Sequence, residues 1–237
     1  MIKQSALRTA IVVITMAACS HINQQPDYPL KESTAWVADS LEWVREAETV
    51  FAEATAYIDS VAETMPRGSW GVVLDVDETV LNNVEYQIGL DRSQSMYTEE
   101  SWYEWTQEEK ATLVPGAKAF IQRVNGLGGH VALVTNRTDL EQFATEANLS
   151  KLGIERHHQF RVLLTRSQPN GSSDKNIRFE LVPRILAAQG FENVDITAYI
   201  GDGKGDKPSS AGNWQFFCID QGAMYGEYCA EVPGSGN

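Results

Sequence analysis

The chain predicts an α/β fold: a parallel sheet with helices on both faces and a small helical, aromatic cap. Three observations carry this. Short apolar runs alternate with helical segments from residue 71 to residue 219, which suits strands buried on both faces. Several of those runs end in a polar group, and open parallel sheets bind ligands beyond the carboxyl ends of their strands. Once a leader is set aside, about 219 residues remain, enough for one such domain with a modest addition.

The elements follow in order. Residues 1–18 combine Lys3 and Arg8 with a short apolar stretch and small residues before Cys19. That is the pattern of a secretory leader, too short to span a bilayer. Residues 19–32 are polar with prolines and read as a tether. Residues 33–66 form a helical region, with Trp36, Leu41, Val44, Ala47, Val50, Phe51, Ala54, Ile58 and Val61 mostly at spacings of three and four. Pro66-Arg67-Gly68 ends it. The main domain spans 67–237. Its strands are expected at Gly71 to Asp75, His130 to Val134, Phe160 to Leu164, Ile196 to Ile200 and Trp214 to Ile219. Helices are expected near Pro115 to Leu127, Leu140 to Leu152 and Ile177 to Gln189. Residues 82–113 are acidic, aromatic and broken, an insertion over the end of the first strand.

The formal charge is −13, and the leader holds Lys3 and Arg8, so the remainder carries about −15. A surface this acidic argues against polymeric nucleic acid as a ligand, though not against a small phosphate ester. Without Cys19, Cys218 and Cys229 remain, either as one disulfide or as two buried thiols.

The most informative run is Val72-Val73-Leu74-Asp75-Val76-Asp77-Glu78-Thr79. Two carboxylates two residues apart at a strand end can serve a hard cation and a nucleophile side by side. An EF-hand loop counted from Asp75 would need Gly sixth and Glu twelfth, where Val80 and Tyr86 stand. The second strand ends in Thr135-Asn136-Arg137, the fourth in Gly201-Asp202, with Asp206 beyond and Lys175 before the last helix. Adjacent parallel strands would bring these groups together.

Asp-x-Asp-x-Thr, a second-strand Thr, a downstream Lys and a late Gly-Asp-x-x-x-Asp resemble the motifs of the haloacid dehalogenase (HAD) superfamily. More narrowly, Asp75 to Asn83, Leu113-Val114-Pro115-Gly116-Ala117, Val134 to Arg137, Lys175 to Phe179, Met224-Tyr225-Gly226 and Trp36 to Trp43 are similar to the class C bacterial acid phosphatases, lipoproteins that also act as 5′-nucleotidases. Met16-Ala17-Ala18-Cys19 resembles a bacterial lipobox. The chain departs from the family at Gly203, where Asn is usual, and at Asp220-Gln221, where Pro and Asn are. The first departure weakens the case for Asp206. The longer loop before Lys175 makes Arg166 its rival.

The resemblance implies a HAD-like sheet and a metal-dependent acid phosphatase acting on phosphomonoesters, nucleoside 5′-monophosphates among them. Asp75 would be the nucleophile and Asp77 the acid and base, with Thr135 and Asn136 holding phosphoryl oxygens and Lys175 supplying positive charge. Mg²⁺ would sit on Asp75, the backbone carbonyl of Asp77, and Asp202. Trp102, Trp105, Tyr86 and Tyr225 would stack on a base. Lipidation at Cys19 would anchor the protein to the bacterial cell envelope, at the outer membrane. The competing expectations are a non-catalytic surface-binding lipoprotein on the same fold, and a phosphonatase using Lys110, the one lysine of the insertion.

Overall fold

The computed structural model describes residues 28–167, 171–226 and 228–231. The leader, Cys19 and most of the tether lie outside the described residues. Five parallel strands form the main sheet, in the order β5-β4-β1-β6-β7. They are β1 (Trp70–Leu74), β4 (His130–Thr138), β5 (Val162–Arg166), β6 (Asp195–Gly201) and β7 (Gln215–Cys218). The expected α/β architecture is the observed one, with strand ends moved by at most four residues.

The strands read as continuous apolar runs because both faces are covered. Alternate residues serve opposite sides: Val72, Leu74, Val131 and Leu133 join one core, while Val73, Ala132 and Val134 join the other. The first core is closed by α2 (Leu41–Thr64), α5 (Ala117–Leu127) and α6 (Gln142–Lys151) through Phe51, Ile58, Phe120, Ile121 and Leu149. The second is closed by α7 (Asn176–Ala188) through Phe179, Val182 and Leu186.

Two expectations on helices are corrected. The helix expected over 33–64 is two, α1 (Glu32–Asp39) and α2. Ser40 between them is extended, and its hydroxyl accepts from the backbone N–H groups of Glu42 and Trp43 at 3.0 and 3.3 Å, an N-cap that starts α2 afresh. The helix expected from Leu140 begins instead as a short 3-10 turn at Asp139–Glu141.

The insertion is ordered. β2 (Leu81–Asn82) and β3 (Thr112–Leu113) pair antiparallel at its base and carry α3 (Val84–Ser93) and α4 (Glu99–Glu108) above the sheet end. At the other end of the chain, Cys218 and Cys229 form a disulfide that ties the tail to β7.

Candidate active site

β1 lies between β4 and β6, so the groups following those three strands share one end of the sheet. The backbone N–H of Asp75 bonds Ile200 O at 2.9 Å, which carries the ladder past β1 and sets Asp75 beside the Gly201-Asp202 turn. Asp75 is buried. Lys175, just before α7, is buried as well; its ammonium donates to Asp75 Oδ1 and, at 2.5 Å, to Asp206 Oδ1. Asp206 Oδ2 accepts the backbone N–H groups of Asp202 and Gly203, both at 3.1 Å, and so shapes the turn that presents Asp202. Gly201 permits this: a Cβ there would lie 2.1 Å from the Cβ of Asp206.

Asp75, Asp202 and Asp206 each offer a carboxylate oxygen, all within 4.8 Å of one another. Burial pushes Asp75 up to about 7, with Lys175 pulling the other way. Burial also raises Asp202 well above the usual carboxylate range, reinforced by Asp206, Asp75 and Glu78. For Lys175 burial opposes the charge, but Asp206 and Asp75 more than offset it, and the ammonium is held above its usual value. An all-oxygen donor set with surplus negative charge fits a hard divalent cation.

Asp77 is held by a separate set of donors. Its carboxylate is gripped by Arg137, whose Nη2 lies 2.7 Å and Nε 2.9 Å from Oδ1, and Asn83 Nδ2 adds a bond at 2.9 Å. The Asp77 carboxylate is therefore not in the acidic cluster, and Asp206 is. Thr135 is fully buried, and its hydroxyl accepts Arg137 N–H at 3.0 Å. Asn136 is exposed, with Oδ1 held by Arg178 Nη2 at 2.6 Å. Arg178 also donates to Thr135 O, bracing the C-terminal part of β4.

The two rival cations have different partners. Lys175 meets Asp75, while Arg166 pairs with Glu99 of α4 at 3.2 Å. Lys110 is two-thirds exposed and pairs with Glu108, away from the acidic cluster. Of the four expected stacking rings, two are committed to the cap. Tyr86 is buried and bonds Ser101 at 2.8 Å, and the Trp105 indole N–H donates to Asn83 Oδ1 at 2.9 Å. Trp102 lines a cavity of about 250 Å³ with Tyr97, Tyr103, Asn136 and Arg166. Tyr225 lines a separate one of about 370 Å³ with Asp202, Lys204 and Gln221.

Sequence reasoning gave no role to Glu78, Asn83 or Arg137. Glu78 follows the acid pair with a left-handed φ of 57°, uncommon for a residue with a side chain. Its N–H bonds Leu81 O at 2.7 Å, its carbonyl accepts Gln221 Nε2 at 2.7 Å, and its carboxyl accepts Asn83 N–H at 2.7 Å. Burial, then the charge of Asp77, pushes that carboxyl up to about 8. Strain of this kind beside reactive groups is held only by surrounding bonds.

A parallel sheet whose central strand ends in paired acids, with a lysine and a late acidic turn converging on the first, is the architecture of a haloacid dehalogenase fold. The family model described as HAD superfamily, subfamily IIIB (Acid phosphatase) matches residues 2–209, and the chain belongs to that family. The structure is similar to that of the class C acid phosphatase from Bacillus anthracis, with a TM-score of 0.61 and 23% identity over 74% of this chain and 69% of that one. A second structure of that phosphatase, with tungstate bound, gives a TM-score of 0.60 at 20% identity over the same shares. Likeness at this identity shows the shared fold. Two curated relatives, the Stem 28 kDa and Stem 31 kDa glycoproteins of Glycine max, are each 25% identical over 172 residues, 72% of this chain. The matched region spans 64% and 56% of their lengths.

Proposed function

We propose that this chain is a divalent-cation-dependent phosphomonoesterase that works through an aspartyl-phosphate on Asp75. One observation carries the reading: a buried carboxylate at the end of the central strand meets a lysine and two further acids, with a second carboxylate two residues on. Asp75 Oδ attacks phosphorus as the ester P–O bond breaks. Asp77 gives a proton to the departing oxygen and takes one from the water that later cleaves the aspartyl-phosphate. Lys175, with the Thr135 and Asn136 region, supplies positive charge and donors to the transferring group. Asp75, Asp202 and Asp206 would hold the cation, Mg²⁺ in this proposal, which when bound offsets the negative charge of the carboxylates and of the incoming phosphate.

Nucleoside 5′-monophosphates are the proposed preferred substrates, supported by Trp102 on a cavity beside Asn136. Anchoring at the cell envelope through Cys19 belongs to the same proposal; among the described residues no helix is long and apolar enough to cross a membrane. The test is phosphate release from a nucleoside monophosphate and from p-nitrophenyl phosphate, by protein lacking residues 1–19, with Mg²⁺ and with chelator. Release from both, abolished by chelator and restored by Mg²⁺, is the expected result. No release by folded protein overturns the reading in favour of a binding protein on this fold.

A further inference from the structure

The Arg137 guanidinium is buried, with its side chain 1% exposed against 22% for that of Asp77. Asp77 Oδ1 receives three donors: Arg137 Nη2 at 2.7 Å, Arg137 Nε at 2.9 Å and Asn83 Nδ2 at 2.9 Å. Oδ2 receives only the longer contacts, Arg137 Nε at 3.2 Å and Thr135 Oγ1 at 3.5 Å. The carboxylate is thus fastened by one oxygen, and the other is the freer.

The fastening is itself fixed from behind and above. Arg137 Nη1 donates to Thr145 Oγ1 at 3.1 Å, and Nη2 also donates to Asn83 Oδ1 at 3.1 Å. The guanidinium carbon lies 5.6 Å from the centre of the Trp102 ring. Asn83 Oδ1 accepts the Trp105 indole N–H as well. Arg137 therefore joins both cap tryptophans to Asp77. A buried ion pair adds little net stability over an apolar pair of the same shape, whereas a planar fork fixes the direction of a carboxylate as no single point charge does.

We propose that Arg137 is the positioning residue of this site: it saturates Asp77 Oδ1 and aims Oδ2 at the leaving oxygen. The proposal rests on the phosphomonoesterase reading. In the first step the Asp75–phosphorus bond forms and the ester P–O bond breaks. The bonding pair stays on the leaving oxygen, which takes the proton from Asp77 Oδ2. In the second step water oxygen bonds phosphorus, a water proton passes to Asp77, and the Asp75 carboxylate is released. A misdirected Asp77 harms the first step most when the leaving alkoxide needs a proton, and little when a stabilised phenolate leaves without one.

The test compares kcat/KM, which reports the first step, for a nucleoside 5′-monophosphate and p-nitrophenyl phosphate with Mg²⁺ present. For Arg137→Met the alkyl ester is expected to lose about 100-fold and the aryl ester less than about fivefold, the scale of a lost general acid. Arg137→Lys recovers part of the difference. Equal loss on both substrates, with active wild type, overturns the positioning role and leaves a structural one. Inactive wild type overturns the phosphomonoesterase reading and this inference with it. Should Arg137→Met not fold by circular dichroism, Thr145→Val, which removes the Nη1 partner together with that hydroxyl's bond to the Glu141 carbonyl, is expected to show the same skew in smaller measure. An unchanged substrate ratio in Thr145→Val overturns the proposal.

Discussion

Lys175 and Asp75 lie one hundred residues apart in the chain and form an ion pair inside the protein, each almost wholly shielded from solvent. The two partners have unequal consequences. Asp75→Asn removes one of several crowded negative charges and leaves Lys175 its bond to Asp206, so the fold is expected to persist while turnover disappears. Near wild-type phosphate release by folded Asp75→Asn protein would sink the nucleophile assignment. Lys175→Met leaves Asp75 and Asp206 buried without their shared cation, and breaking a buried pair from one side costs about 3–5 kcal/mol. Chemical denaturation of both variants in chelator should rank Asp75→Asn well above Lys175→Met.

The acid cluster sets a pH dependence for the cation-free protein. Asp75 is raised from 3.8 to about 7 and Glu78 from 4.5 to about 8, with Asp202 raised as well. In that window the folded state binds more protons than the unfolded state, so stability falls as pH rises. His130 acts oppositely, because burial lowers its pKa, but it is one group against three. In chelator the unfolding midpoint at pH 5 should therefore exceed that at pH 8, and Mg²⁺ should restore more at pH 8, where it does not compete with protons. A higher midpoint at pH 8 in chelator contradicts this.

Gly201 stands where β6 passes against Asp206. A Cβ there would fall 2.1 Å from the Cβ and 2.4 Å from the carboxyl carbon of Asp206. Gly201→Ala must displace that side chain, at an overpacking cost of about 1–3 kcal/mol. The expected outcome is a weaker cation response, at least about tenfold more Mg²⁺ for the same rise in thermal midpoint, a shift of about 1.4 kcal/mol in binding. An unaltered Mg²⁺ titration would remove Asp206 from the cation site.

The Cys218–Cys229 bridge closes a loop with a sequence separation of 11. Within it lie Gln221, bonded to Glu78 O at 2.7 Å, and Tyr225, which lines the cavity beside Asp202. Closing a loop of this length contributes about 3 kcal/mol by restricting the unfolded chain. Cys229→Ser should lower the denaturation midpoint accordingly. An unchanged midpoint after thiol titration shows full reduction of the wild type would exclude that contribution.

Several features were legible in order along the chain because their causes are local. Val72-Val73-Leu74 is apolar on both faces because helices cover both sides of the sheet, and the acids after it follow from the strand end. The start of α2 was also local, in the Ser40 hydroxyl and the N–H groups two and three residues on, and the helical periodicity of the apolar residues after it masked it. Arg137 was passed over although it follows Thr135 and Asn136, because its partner Asp77 is 60 residues away. Tyr86 and Trp105 looked like stacking rings because an aromatic insertion has no periodicity to say which faces turn inward.

By itself the sequence determined the alternation of strands and helices, the Asp75 and Asp77 pair, and the residues that could serve a phosphate. Those are set by apolar patterning and by the chemistry of single side chains. The tertiary structure alone decided that Lys175 rather than Arg166 meets Asp75, that Asp206 completes the acidic cluster, and that Arg137 holds Asp77. Each depends on strand order: β1 lies between β4 and β6, so groups distant in sequence stand within hydrogen-bonding range at one sheet end. Burial there makes each charge dependent on its neighbours, and no local pattern in the chain records which neighbours those are.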